Sequence, residues 1–169
     1  MATGIKVFAP ASVANLACGY DILGLALERP GDEIIIRKTD GKGLKINKIF
    51  GADRKLPTDI HKNTAGLAAY ALLKSVDRIG EGIEMDIYKK MPSGSGLGSS
   101  AASAAAAVWG INALLDLRLT KRELLHFAVL GEQAADGSYH ADNVAPSLMG
   151  GIIFIRDNES LDIHKLPPI

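Results

Sequence analysis

The chain has 169 residues, 47% of them hydrophobic and 22% charged, a length that suits one domain with a real core. Lys plus Arg and Asp plus Glu balance at 19 each and aromatics are only 5%, so neither a basic field nor a stacking surface points to nucleic acid. No apolar run reaches the about 20 residues of a membrane span, the single cysteine Cys18 excludes a disulfide framework, and no secretory signal pattern opens the chain, so the expected address is cytoplasmic, with neither nucleic acid nor membrane as partner.

In chain order, Ile5–Phe8 reads as a short apolar strand ending at Pro10, and Asp21–Glu28 alternates loosely before an expected turn at Arg29-Pro30-Gly31-Asp32. Glu33–Lys38, with three consecutive isoleucines, predicts a buried or half-buried strand, and Leu44–Ile49 a second one. Gly51–Lys62 is polar, contains Pro57 and reads as a connection. From Asn63 to Val76 the apolar residues Leu67, Ala71 and Val76, with Ala68 and Leu72 beside them, recur at helical spacing until Gly80 and Gly82. Ile83–Lys90 alternates as a strand, with Ile83, Met85 and Ile87 on one face and Glu84, Asp86 and Tyr88 on the other. The pattern then predicts helices over Ser99–Leu115 and Thr120–Ala135, the latter with Thr120 and Glu123 as a capping box, and a last strand over Gly150–Arg156. This order predicts an α+β fold, helices covering one face of a mixed or antiparallel sheet, with no internal domain boundary.

The stretch MPSGSGLGSSAASAAAA at Met91–Ala107 joins the strand to the alanine-rich helix. Strand, glycine-rich turn and helix in direct succession bring free backbone N–H groups and the positive end of a helix dipole to one point, an anion site suited to phosphate. A Walker-type loop would need a lysine after its last glycine, but Ser99 and Ser100 follow Gly98. A dinucleotide turn would need its third glycine three positions after the second, whereas Gly94, Gly96 and Gly98 are spaced by two. What remains is a kinase loop whose amides hold nucleotide phosphates with a serine hydroxyl available to a metal; the plain alternative is a tight turn leading into a closely packed helix.

Pro92–Ser103, reading PSGSGLGSSAAS, resembles the nucleotide loop of the GHMP kinases, the small-molecule kinases named for galactose, homoserine, mevalonate and phosphomevalonate. Ser12–Leu27, SVANLACGYDILGLAL, and Ser138–Gly151, SYHADNVAPSLMGG, resemble two further motifs of the homoserine kinases within that group, the run His140–Pro146 most distinctively. The resemblance implies a ribosomal protein S5 domain 2-like fold with a left-handed βαβ crossover, ATP and Mg²⁺ as cofactors, L-homoserine as substrate, and a place on the route to threonine. Residues 1–169 would be the N-terminal, ATP-binding domain; a homodimer is compatible with the resemblance.

It also implies site residues. Pro92, Ser93, Gly94, Ser95, Gly96, Leu97, Gly98, Ser99 and Ser100 would wrap the ATP phosphates, and Asn63 would be a nucleotide contact or simply a helix N-cap, the two not being exclusive. Ser100 and Glu132 would hold Mg²⁺, with Gly131, Ala134 and Ala135 small enough to let the loop approach; the plain reading of Glu132 is a solvated helix carboxylate. Asn15, Asp21, His140 and Asp142 would bind homoserine, Asp21 through its α-ammonium. Asn143 stands where several relatives place a catalytic aspartate; an amide cannot take a proton, so its expected role is to stabilise the transferring phosphoryl group. The family pattern has Gly-Pro-Gly-Phe-Asp where this chain has Ala17-Cys18-Gly19-Tyr20-Asp21, and commonly glycine where Ser138-Tyr139 precede His140. Homoserine kinases are nearly twice as long, so a fragment is expected. A related kinase for another alcohol, a nucleotide-binding half without turnover, and an interaction module remain as alternatives, the last opposed by the intact Ser100 and Glu132.

Overall fold

In the computed structural model, which describes residues 4–137 and 139–167, six strands form one sheet: β1 (Gly4–Leu16), β2 (Gly19–Lys42), β3 (Leu44–Phe50), β4 (Glu81–Tyr88), β5 (Ile152–Asp157) and β6 (Asp162–Lys165). The strand order is β3-β4-β2-β5-β6, with β1 paired to β2. All pairings are antiparallel except β3 with β4, which are parallel and connected through α1 (Thr64–Ser75), the one βαβ crossover among the described elements. The other helices are α2 (Ser99–Leu114), α3 (Lys121–Asp136) and α4 (Val144–Met149). The fold is therefore the α+β class the pattern predicts.

Period-two burial builds the sheet's inner face: Ile34, Ile36, Ile83, Met85 and Ile87 are all buried against the helices. Against them lies α2, whose residues Ala101 to Val108 are all buried because alanine lets a helix approach on every side at once. At Gly110 the approach is tight: an added Cβ would stand 2.5 Å from Ile36 Cδ1 and 3.1 Å from Val7 Cγ2. Gly131 does the same for α1 and α3, since a Cβ there would lie 2.6 Å from the Thr64 carbonyl oxygen. Its small size thus serves helix packing rather than the approach of the glycine loop.

Two expectations need correction. The first strand does not end at Pro10, and Arg29-Pro30-Gly31-Asp32 is not a turn between strands. Pro10 pairs with Gly31 and Ser12 with Ala26, so β1 and β2 stay paired past this point while the extra residues of β2 bulge out between two stretches of one ladder. The helix α4 and the strand β6 also went unread, α4 because it is six residues long with Pro146 in its first turn, where proline is tolerated, and β6 because only Ile163 of its four residues is buried. Ser138 and the side chain of Ala135 lie outside the described residues.

Because Gly110 sets the spacing between α2 and the sheet, Gly110→Val should lower unfolding free energy by about 1–3 kcal/mol in urea denaturation; an unchanged midpoint would show that α2 shifts freely on the sheet.

Candidate active site

The loop at Pro92–Gly98 opens a cleft of about 710 Å³ whose wall includes Asn63, Lys89 and Glu132. Its alternate glycines have a backbone reason: Gly94, Gly96 and Gly98 take φ of 71°, 74° and 63°, while Ser95 and Leu97 between them do not take positive values. Such alternation turns successive N–H groups toward one side, making an anion-binding concavity. Gly98 is constrained by space as well, since a Cβ there would lie 2.3 Å from Ser12 Oγ and 2.8 Å from Asn143 Oδ1. As the N-cap of α2, Gly98 supplies no side-chain acceptor, and the first intrahelical bond runs from Ala102 N–H to its carbonyl. The first-turn amides of α2 therefore face the loop without a capping side chain.

A buried ion pair holds the loop to the sheet. Asp32, with no exposure, bonds the Lys89 ammonium, accepts from the Ser99 hydroxyl at 2.7 Å and from Lys90 N–H at 2.8 Å. Lys89 Nζ donates onward to the Ser99 carbonyl and to Ser103 Oγ, both at 2.8 Å. The Ser99 hydroxyl is thus committed to Asp32, leaving that residue its backbone amide for any ligand. At the other end Asp53 accepts from both the hydroxyl and the N–H of Ser93, and these bonds hold its carboxyl below the ordinary range.

Ser100 Oγ donates directly to Glu132 Oε1, so the two residues singled out for a metal touch across the cleft. The Ser100 hydroxyl and the Glu132 carboxylate are hard oxygen donors of the kind that Mg²⁺ takes, an ion that keeps several waters and needs one or two protein ligands. Asn63 is the N-cap of α1: its Oδ1 accepts from Ala65 and Gly66 N–H at 3.0 and 3.4 Å, and its Nδ2 donates to the Pro57 carbonyl at 2.9 Å. Its side chain therefore shapes the cleft wall through Pro57 and the helix start.

The residues expected to bind the acceptor lie close to one another. Asn15 Oδ1 accepts from Asp21 N–H at 2.8 Å, His140 Nδ1 stands 3.5 Å from Asp21 Oδ1, and Asp142 is buried close by. Burial, then the charge of Asp21, pushes the Asp142 carboxyl above its ordinary value. Asn15, Ala17 and Asp21 have φ of 58°, 49° and 57°, so Ala17 occupies a left-handed conformation that costs a non-glycine residue about 1–2 kcal/mol. Asn143 joins the two clusters, since it follows Asp142 and packs against Gly98.

Residues 63–151 match the family described as the GHMP kinases N terminal domain. The chain belongs to the GHMP kinases. Among curated relatives, this GHMP kinase chain is 44% identical to the homoserine kinase of Chlorobium phaeovibrioides and 42% identical to that of Methanococcus vannielii, covering 97% and 96% of itself and 54% of each relative. The chain therefore spans about half the length of the curated relatives it matches. A solved structure titled homoserine kinase from Cytophaga hutchinsonii superposes with TM-score 0.92 at 51% identity, over 97% of this chain and 52% of that one. A mevalonate kinase of Methanococcus jannaschii shares the fold at TM-score 0.77 and 17% identity, over 98% of this chain and 56% of that one.

Within this GHMP kinase site, sequence reasoning missed Ser12, Asp32, Asp53, Lys89 and Asn158. The last accepts from Ala141 N–H at 3.0 Å and donates to the Asp21 carbonyl at 3.1 Å, tying the Asp21 segment to the one that begins at His140. Each works through a partner distant in sequence, so none is marked by the residues beside it.

Asp32→Ala would leave the Lys89 ammonium buried without its counter-charge, so it should cost about 3–5 kcal/mol in urea denaturation, and Asp32→Leu combined with Lys89→Met should recover most of that. A single-variant cost below about 1 kcal/mol would mean that the pair does not anchor the loop.

Proposed function

We propose that this chain carries the nucleotide site and most of the acceptor site for ATP-dependent transfer of a phosphoryl group to the hydroxyl of L-homoserine, giving O-phospho-L-homoserine and ADP. The observation that carries the reading is the meeting, at Gly98, of an amide-lined phosphate loop with a cluster of Asn15, Asp21, His140 and Asp142, in a chain 42–51% identical to homoserine kinases. The same reading places it in the cytoplasm on the way to threonine.

In this assignment the amides of Gly94–Ser100 and the first turn of α2 take the phosphate charge. Ser100 and Glu132 hold Mg²⁺, whose chemistry is to neutralise charge on the phosphates. Asp21 and Asp142 offer the carboxylates that match an α-ammonium, with charge-assisted bonds about twice as strong as neutral ones. Asn143 is held at the junction between donor and acceptor, where its carboxamide holds the phosphoryl group in place and does not remove the proton. The hydroxyl oxygen of homoserine forms the new P–O bond, the bond to ADP breaks, and the hydroxyl proton leaves with the phosphoryl oxygens. Such a loose transition state needs position and charge more than a strong base.

Homoserine-dependent ADP release with Mg-ATP, with product confirmed by mass spectrometry, is the direct test, and Asp21→Ala should abolish use of homoserine. A chain that Mg-ATP stabilises against heat but that releases no ADP would instead be a nucleotide-binding half, a reading favoured by its covering about half of its relatives.

The raised Asp142 carboxyl gives a further check with a definite sign. Above the ordinary value of 3.8 and below its raised value, the folded chain holds a proton that the unfolded chain has lost, so this group lowers stability as pH rises through that window. An ammonium ligand favours the carboxylate, so homoserine binding should tighten with rising pH across the same window and release a proton measurable by calorimetry in buffers of different ionisation enthalpy. Asp142→Asn should remove both effects; pH-independent binding by the unaltered chain would assign Asp142 a purely structural role.

A further inference from the structure

Ser12 lies on β1, fully buried, and makes two contacts that cross the molecule. Its backbone N–H donates to the Leu97 carbonyl at 3.1 Å, inside the glycine loop. Its hydroxyl donates to Asn143 Oδ1 at 2.9 Å, a partner 131 residues away. Both side chains press on Gly98, where there is no room for a Cβ. The strand carrying Ser12 is tied to α4 as well, because Ser147 Oγ donates to the Pro10 carbonyl at 2.8 Å.

A carboxamide has two chemically opposite ends, one that accepts and one that donates. In this arrangement the Ser12 hydroxyl hydrogen goes to the oxygen end. With Oδ1 taken by Ser12, the Asn143 Nδ2 hydrogens make no hydrogen bond among the described residues, and they are donors, the polarity that an anionic phosphoryl group requires. A flipped amide would present its oxygen to that negative charge.

We propose that Ser12 is a positioning residue for phosphoryl transfer: its buried hydroxyl locks the Asn143 carboxamide with nitrogen turned away toward the reactants, while its N–H registers that amide against the phosphate loop at Leu97. This inference rests on the kinase reading above for its catalytic half, but the locking of the amide does not depend on it.

The test reads the two halves separately. In the ¹⁵N-labelled chain, the Asn143 side-chain amide is as rigid as the backbone around it, and Ser12→Ala loosens it, seen as a fall in its order parameter. Ser12→Cys, which keeps nearly the same volume but donates weakly, loosens it too and replaces the alanine variant should that one not fold. In turnover, either variant lowers kcat about tenfold to a hundredfold with KM for ATP and homoserine changed less than about twofold, and adds little to the loss caused by Asn143→Ala. A side-chain amide that stays ordered without the hydroxyl overturns the proposal whether or not the chain turns over. Additive losses with Asn143→Ala, or a lowered melting temperature with kcat intact, overturn its catalytic half. An unaltered chain that releases no ADP while its Asn143 amide loosens in Ser12→Ala would remove the kinase reading and leave the amide lock standing.

Discussion

The buried pair of Asp32 and Lys89 is the contact on which the arrangement of the site depends. Asp32 belongs to β2, the strand that pairs with β1, β4 and β5, and Lys89 leaves the end of β4 just before the glycine loop. Between them they also take the hydroxyl and carbonyl of Ser99, the first residue of α2. Sheet, loop and helix are thereby fixed to one another within a few atoms. Burying two charges costs desolvation energy that their attraction only partly returns, so what such a pair contributes is geometry more than stability. Here that geometry is the height and angle at which the loop leaves the sheet.

From that anchor the loop needs little else. Ser93 is tethered to Asp53, Leu97 to Ser12, and the glycines supply the backbone angles that aim the amides inward. The chemistry proposed for this chain is one in which charge is neutralised and groups are aligned, and the protein devotes its polar side chains to holding backbone in place. Several residues in the cleft that would look like ligands in isolation, Ser99 and Asn63 among them, have their side chains occupied by the scaffold.

Local signals were legible in the sequence wherever a residue's role was set by its near neighbours. The alternation of Ile83, Met85 and Ile87, the capping box at Thr120 and Glu123, and the Asn63 cap all depend on contacts within a few positions, and all are present. The long hairpin of β1 and β2 was misread because Pro10 and Arg29-Pro30-Gly31-Asp32 are local turn signals that the extended ladder overrides, absorbing them as a bulge. The loop announced itself through composition. Its supports did not, because Ser12, Asp32 and Asn158 act on partners far along the chain, and nothing in the residues next to them records the pairing. The substrate class came from motif resemblance alone, since an aspartate beside a histidine suits many cations.

The alanines of α2 have an electrostatic consequence. With residues Ala101 to Val108 enclosed by sheet and helices, little water lies along the helix to screen its peptide dipoles. A helix on the surface spends much of its field in solvent, but this one conducts it through protein to the end that opens into the cleft. The poorest side chains in the sequence therefore make the positive pole at Gly98 reach further than the same backbone would under longer, wetter ones.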